Sequence, residues 1–89
     1  MTEKQIIELI ENTLQEKIKK DENFIKYSFY EVNVKYHLSK NDIYTFLHFL
    51  KIKLNNNNYK VYFEGQKYNY KNKEFVVGKN ETIIAIKKV

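Results

Sequence analysis

The last third of the chain, Tyr59 to Val89, leaves the fold little freedom. It reads YKVYFEGQKYNYKNKEFVVGKNETIIAIKKV, with β-branched and aromatic runs cut at short intervals by Gly65, Asn72 and Gly78-Lys79-Asn80. Val, Ile, Tyr and Phe suit a pleated surface, and Gly and Asn tolerate the positive φ of tight hairpin turns. The stretch is therefore expected to form an antiparallel meander. Tyr59, Val61 and Phe63 alternate with Lys60, Tyr62 and Glu64, and Tyr68 and Tyr70 alternate with Lys67 and Asn69. Glu74–Val77 and Thr82–Val89 supply the remaining strands. Ile83-Ile84-Ala85-Ile86 is apolar on both faces, which marks either a central strand or an edge that a partner covers. The second case would make the chain a homo-oligomer.

A sheet needs a cover, and the upstream sequence supplies two amphipathic helices. Over Thr2–Lys20, Ile6, Ile10, Leu14 and Ile18 recur every four residues with Ile7 beside them. Thr2 and Gln5 match a capping box, Glu3 and Glu8 sit toward the positive end of the dipole, and Lys17, Lys19 and Lys20 toward the negative end. The mixed polar face favours packing on the sheet over a basic membrane-surface role. No apolar run approaches the roughly 20 residues of a membrane span, so no membrane partner is expected. Ser39 with Asp42 caps a second helix, whose stripe is Ile43, Phe46, Leu47, Leu50 and Leu54, widened by Tyr44, Phe49 and Ile52. Asn55–Asn58 ends it, because asparagine accepts the left-handed cap conformation.

Between the helices, Tyr30, Val32, Val34, Tyr36 and Leu38 share one parity and Glu31, Asn33, Lys35 and His37 the other. This alternation predicts a first strand over Phe29–Leu38 with one buried face. Ile25, Tyr27 and Phe29 fall on the wrong parity, which places a bulge or an approach loop near Ser28. The expected fold is one α+β domain spanning residues 1–89. Two helices pack on one face of a mostly antiparallel four- to five-stranded sheet, in the order α-β-α-β-β-β, with a further strand if Lys67–Tyr70 pairs.

Composition bears on function mainly by exclusion. There is no cysteine among the 89 residues, so neither disulfides nor thiolate metal sites are available. The start lacks the basic and apolar regions of a signal peptide, and the expected location is cytoplasmic. All 16 basic residues are lysine, and Lys, Asn, Ile, Tyr and Phe dominate. These are residues of A/T-rich codons, in keeping with a phage or mobile-element origin.

No constellation points to catalysis. His37 and His48 stand eleven apart on different elements, with Glu31, Asp42 and Glu64 as the conceivable oxygen partners, whereas zinc takes three or four protein ligands. Ser39 and His37 are close, but Ser39 has a role as helix cap and no third residue orients the pair. Two glycines, Gly65 and Gly78, make no phosphate-cradling loop. The absence of arginine removes the usual bidentate clamp for phosphate. Neither an enzyme nor a metal or other cofactor is expected. Asn80-Glu81-Thr82, formally a glycosylation sequon, reads as a turn.

Two binding roles are left. The favoured one is stoichiometric binding to another protein, as an inhibitor or adaptor, through surplus aromatic residues such as Tyr44, Phe49, Tyr62 and Tyr70, since tyrosine is enriched in hot spots. The alternative is single-stranded nucleic acid. Residues 1–47 hold 7 lysines against 8 acids and residues 48–89 hold 9 against 3, concentrating the net +5 in the meander. There Lys60, Lys67, Lys71, Lys73 and Lys79 interleave with tyrosines such as Tyr68, the combination that meets phosphates and stacks bases.

Overall fold

The computed structural model describes all 89 residues. Its elements are α1 (Glu3–Lys20), β1 (Phe24–Ser28), a π-helical turn (Glu31–Lys35), α2 (Lys40–Asn56), β2 (Tyr59–Phe63), β3 (Lys67–Tyr70), β4 (Lys73–Val76) and β5 (Glu81–Lys87). The protein is α+β, with both helices packed on one antiparallel sheet. Its five strands are divided, however. β1, β5 and β2 form a three-stranded sheet in that order, and β3 and β4 form a separate hairpin.

That division follows from β5. Paired to β1 on one side and β2 on the other, it is the central strand. Ile83 and Ala85 point to the helices, where they join Ile6, Ile10, Leu14, Ile25, Tyr27, Phe46, Leu50, Leu54 and Tyr59 in the main core. Ile84 points the other way, into a smaller core with Tyr68 and Val77. The β3–β4 hairpin has folded back over the open face of the sheet. A strand apolar on both faces is thus satisfied within one chain, and the reason for expecting self-association through it is gone.

Both helices start as their caps dictate. Thr2 Oγ1 accepts from the Gln5 N–H while Gln5 Oε1 accepts from the Thr2 N–H, and Ser39 and Asp42 make the same reciprocal pair. Asn58, at φ 68°, takes the left-handed position after α2. The helices lie side by side in the same direction. Ile7 shares a groove with Phe49 and Ile52, and farther along Ile18 shares it with Asn57.

The expected strand over Phe29–Leu38 does not form. The first strand is Phe24–Ser28, with Ile25 and Tyr27 fully buried, and its pairing slips between Tyr27 and Ser28, where the irregularity was expected. Ser28 then starts a helical turn. Glu31 Oε1 accepts from the Ser28 N–H (2.8 Å) and Ser28 Oγ accepts from the Glu31 N–H (3.1 Å). This is a third capping box, Ser28-Phe29-Tyr30-Glu31. Helical geometry spreads the alternating residues around the axis, so Val32 and Leu38 are buried whereas Phe29, Tyr30 and Val34 are more than half exposed.

Candidate interaction surfaces

Three places gather the side chains with chemical or binding capacity. The first is a polar cluster where α1 meets the π-helical turn. Lys17 Nζ donates to Glu31 Oε2 at 2.8 Å and Tyr36 OH donates to the same oxygen at 3.2 Å. Thr13 Oγ1 and Tyr27 OH share a hydrogen bond of 2.9 Å, and Lys17 Nζ stands 4.6 Å from the Tyr27 ring centroid. Burial alone would raise the Glu31 carboxyl, but the bonds from Lys17 and Ser28 outweigh it and hold the group below its ordinary value. Burial pushes the Tyr27 and Tyr36 hydroxyls up, and the nearby Glu31 charge adds to this. A carboxylate fixed in its ionised form by three donors is no general base near neutrality. The adjoining cleft, about 180 Å³, is smaller than ligand pockets of roughly 300 Å³ and more. The cluster is a strut joining α1, β1 and the turn.

The histidines stay apart. His37, exposed, has a left-handed backbone (φ 55°), and His48 lies on α2 with its ring 5.5 Å from that of Phe49. Ser39 is engaged as the α2 cap, and no three His, Asp or Glu side chains stand close enough to hold a metal ion.

The second place is the groove between α1 and α2. Two adjoining cavities, of about 420 and 180 Å³, share Glu11 and Lys53. Ile10 and Leu14 are its buried residues, Phe49 and Ile18 are half-buried, and Ile7 and Ile52 are 37% and 43% exposed. Tyr44, at 66% the most exposed aromatic side chain, lines neither cavity: helix geometry turns it to the flank of α2 away from Phe49 and Lys53. Of the aromatic residues expected to bind a partner, Phe49 is here and Tyr44 is not, and Ile7 and Ile52 are not among those expected. Their spacing signals only an apolar stripe, and which flank stays uncovered depends on how the helices sit.

The third place is the hairpin layer, which takes in most of the other residues expected to bind. Tyr68 is 7% exposed, its ring stacked on Phe75 with centroids 5.4 Å apart and meeting Tyr62 at 5.6 Å. It packs on the sheet and has no face left for a base, which corrects its assignment as a nucleic-acid contact. Tyr62 and Tyr70 are half-buried in the same small core, Tyr70 against Phe24 at 4.9 Å, so neither is the free hot-spot ring that its sequence suggested.

The lysines of this layer do not form one patch. Lys67 is on the outer face of the hairpin, 3.7 Å from Glu74, and Lys79 is in the turn before β5, at the far end from the hairpin tip. Lys60, cross-strand from Ile86, and Lys73, cross-strand from Tyr70, flank the tip, where Lys71 occupies the turn. No helix is long and apolar enough to cross a membrane. Comparison with protein-family models, with curated proteins and with solved structures finds no match for this chain.

Proposed function

We propose that this chain is a small non-catalytic protein that acts by stoichiometric binding to another protein, as an inhibitor or adaptor. The groove between α1 and α2 receives an amphipathic helix of that partner. One observation carries the reading: the helical layer leaves Ile7 and Ile52 exposed along an apolar groove, although the core beneath it is complete. From Ile7 to Ile18 the groove runs eleven residues, about 16 Å at 1.5 Å per residue, or three turns of a partner helix. That length suits the i, i+3/i+4, i+7 anchors of helix-in-groove recognition. Glu11 and Lys53, of opposite sign beside the shared stretch, are placed to set the direction of the incoming helix.

The test compares two photo-crosslinkable variants, one with the probe at Ile52 and one at Val76 on the hairpin's outer face, in extracts of the source cell. The expected result is a partner joined one-to-one at position 52, absent at 76, and lost when Ile7→Lys and Lys53→Glu are added to the position-52 variant in a chain with an unchanged melting temperature. Capture that is equal at both positions, or unaffected by the double substitution, overturns the groove.

A further inference from the structure

The hairpin's tip closes over a second cleft, on the opposite layer from the helices. It measures about 370 Å³, and its lining includes Tyr70, Lys71, Asn69, Asn23, Ile86 and Lys87. These come from β3, the following turn, the residue before β1 and the end of β5. We infer that this cleft binds one nucleotide unit of a single-stranded nucleic acid, with the base against Tyr70, its edge read by Asn23 and Asn69, and the flanking phosphates met by lysines.

Each part of the unit has its counterpart. Tyr70 is held against Phe24, and the ammonium of Lys71 stands 5.3 Å from the Tyr70 centroid. That position is open to a stacking base once the flexible lysine swings out to a phosphate. Asn23 and Asn69 are exposed, and each amide carries both a donor and an acceptor, the pairing that the hydrogen-bonding edges of bases require. Ile86 adds an apolar wall. The volume falls in the range of small-ligand pockets, roughly 300–1,000 Å³.

Charge argues for a strand over a free nucleotide. Lys60 and Lys73 each lie cross-strand from a lining residue, Ile86 and Tyr70 respectively, so cations continue beyond the cleft on both sides. The carboxylate nearest along the ladder, Glu74 opposite Asn69, is engaged with Lys67. Duplex is disfavoured, because a stacked and paired base cannot enter a cleft of this kind.

The experiment is fluorescence anisotropy with labelled 15-nucleotide single-stranded RNA and DNA, a duplex of the same length, and a mononucleotide as competitor, across a salt series. The expected result is micromolar single-strand binding with a log–log salt slope near −2, about 0.7 for each of three phosphates neutralised. The mononucleotide should compete at least about tenfold more weakly. Lys60→Ala, Lys71→Ala and Lys73→Ala should each shallow the slope, whereas Lys67→Ala and Lys79→Ala should leave it unchanged.

Tyr70→Leu, which keeps apolar packing on Phe24, should weaken binding about tenfold, and Tyr70→Phe should not. Asn69→Ala, on an exposed side chain, provides a second probe of the cleft if Tyr70→Leu lowers the melting temperature. Absence of binding at low salt overturns the inference. So do duplex or mononucleotide binding as tight as the single strand, and binding weakened equally by all five lysine variants while indifferent to Tyr70→Leu and Asn69→Ala.

Discussion

The two faces of the three-stranded sheet are covered by different means. On the helix face, thirteen buried residues from six elements and the loop before α2 interlock, and two buried tyrosines find polar partners, Tyr27 at Thr13 and Tyr59, whose hydroxyl donates to the Glu22 carbonyl. On the hairpin face, three buried residues suffice, surrounded by tilted rings that each keep an edge in water. β4 is exposed along its whole length. One face is a core and the other a lid. The helix face holds most of the buried core, and the hairpin face, with the smaller one, is expected to open first.

The sharpest way to break that comparison is to remove one large side chain from each face. Phe46, fully buried between Tyr27 and Tyr36, is expected to cost about 3–5 kcal/mol as Ala, a large part of the whole stability of a domain this size. In urea denaturation the midpoint should fall while every probe still reports one transition. Tyr68→Ala on the other face should cost less, about 2–3 kcal/mol, because the rings around it can close in. Hydrogen exchange should speed over residues 67–76 while β1 and α2 keep their protection. If both variants lose global stability equally, and the hairpin exchanges no sooner than α2, the two faces are one cooperative unit.

A smaller effect probes the strut that joins α1 to the π-helical turn on the helix face. The Glu31 carboxyl is held below its ordinary value, so its contribution is fully present above the ordinary carboxylate range and is lost as pH falls through the folded-state value. Glu31→Gln keeps an acceptor for the Ser28 N–H, puts an amide NH2 where Oε2 met Lys17 and Tyr36, and removes the charge. Partly exposed as the pair is, the expected loss is about 1 kcal/mol at neutral pH. The gap between variant and parent should close in acid. A gap that persists at pH values where the carboxyl is protonated in both states would mean that shape, and not charge, holds the strut.

The same contrast decides what the sequence makes legible. On the helix face the signals are local: a cap three residues from its partner, a stripe at every fourth residue, an asparagine after the last turn. Both helices are readable for that reason. Ser28-x-x-Glu31 is equally local, but the alternation from Tyr30 to Leu38 competes with it, and period alone does not reveal that the capping pair prevails. The hairpin face depends on distant residues. Nothing in the tyrosine spacing says that β3 and β4 leave the sheet and lie on it, which turns Tyr68 from a surface ring into a buried one. The cleft at the tip joins Asn23, Asn69 to Lys71, and Ile86 to Lys87, a set that exists only once the chain has closed.

The smallest effect concerns the turn that closes this hairpin. Tyr70 and Lys73 are cross-strand partners, so Lys71 and Asn72 are a two-residue loop, and their φ values of 52° and 64° give it the type I′ form. Asparagine accepts that conformation readily. Lysine does not, at a cost of about 1–2 kcal/mol, whereas glycine has no such cost but loses about 0.5–1 kcal/mol more in backbone entropy. Lys71→Gly is therefore expected to raise stability by about 0.5 kcal/mol, read as a higher urea midpoint with an unchanged slope. On the helix face the corresponding left-handed position is already held by Asn58, the residue type suited to it. A lysine kept where its backbone is strained, at the mouth of a cleft beside Tyr70, is what a binding tip that gives up stability for a cation would retain. If Lys71→Gly is more stable and binds single strands as tightly as the parent, that trade is absent, and the strain at the tip has no part in binding.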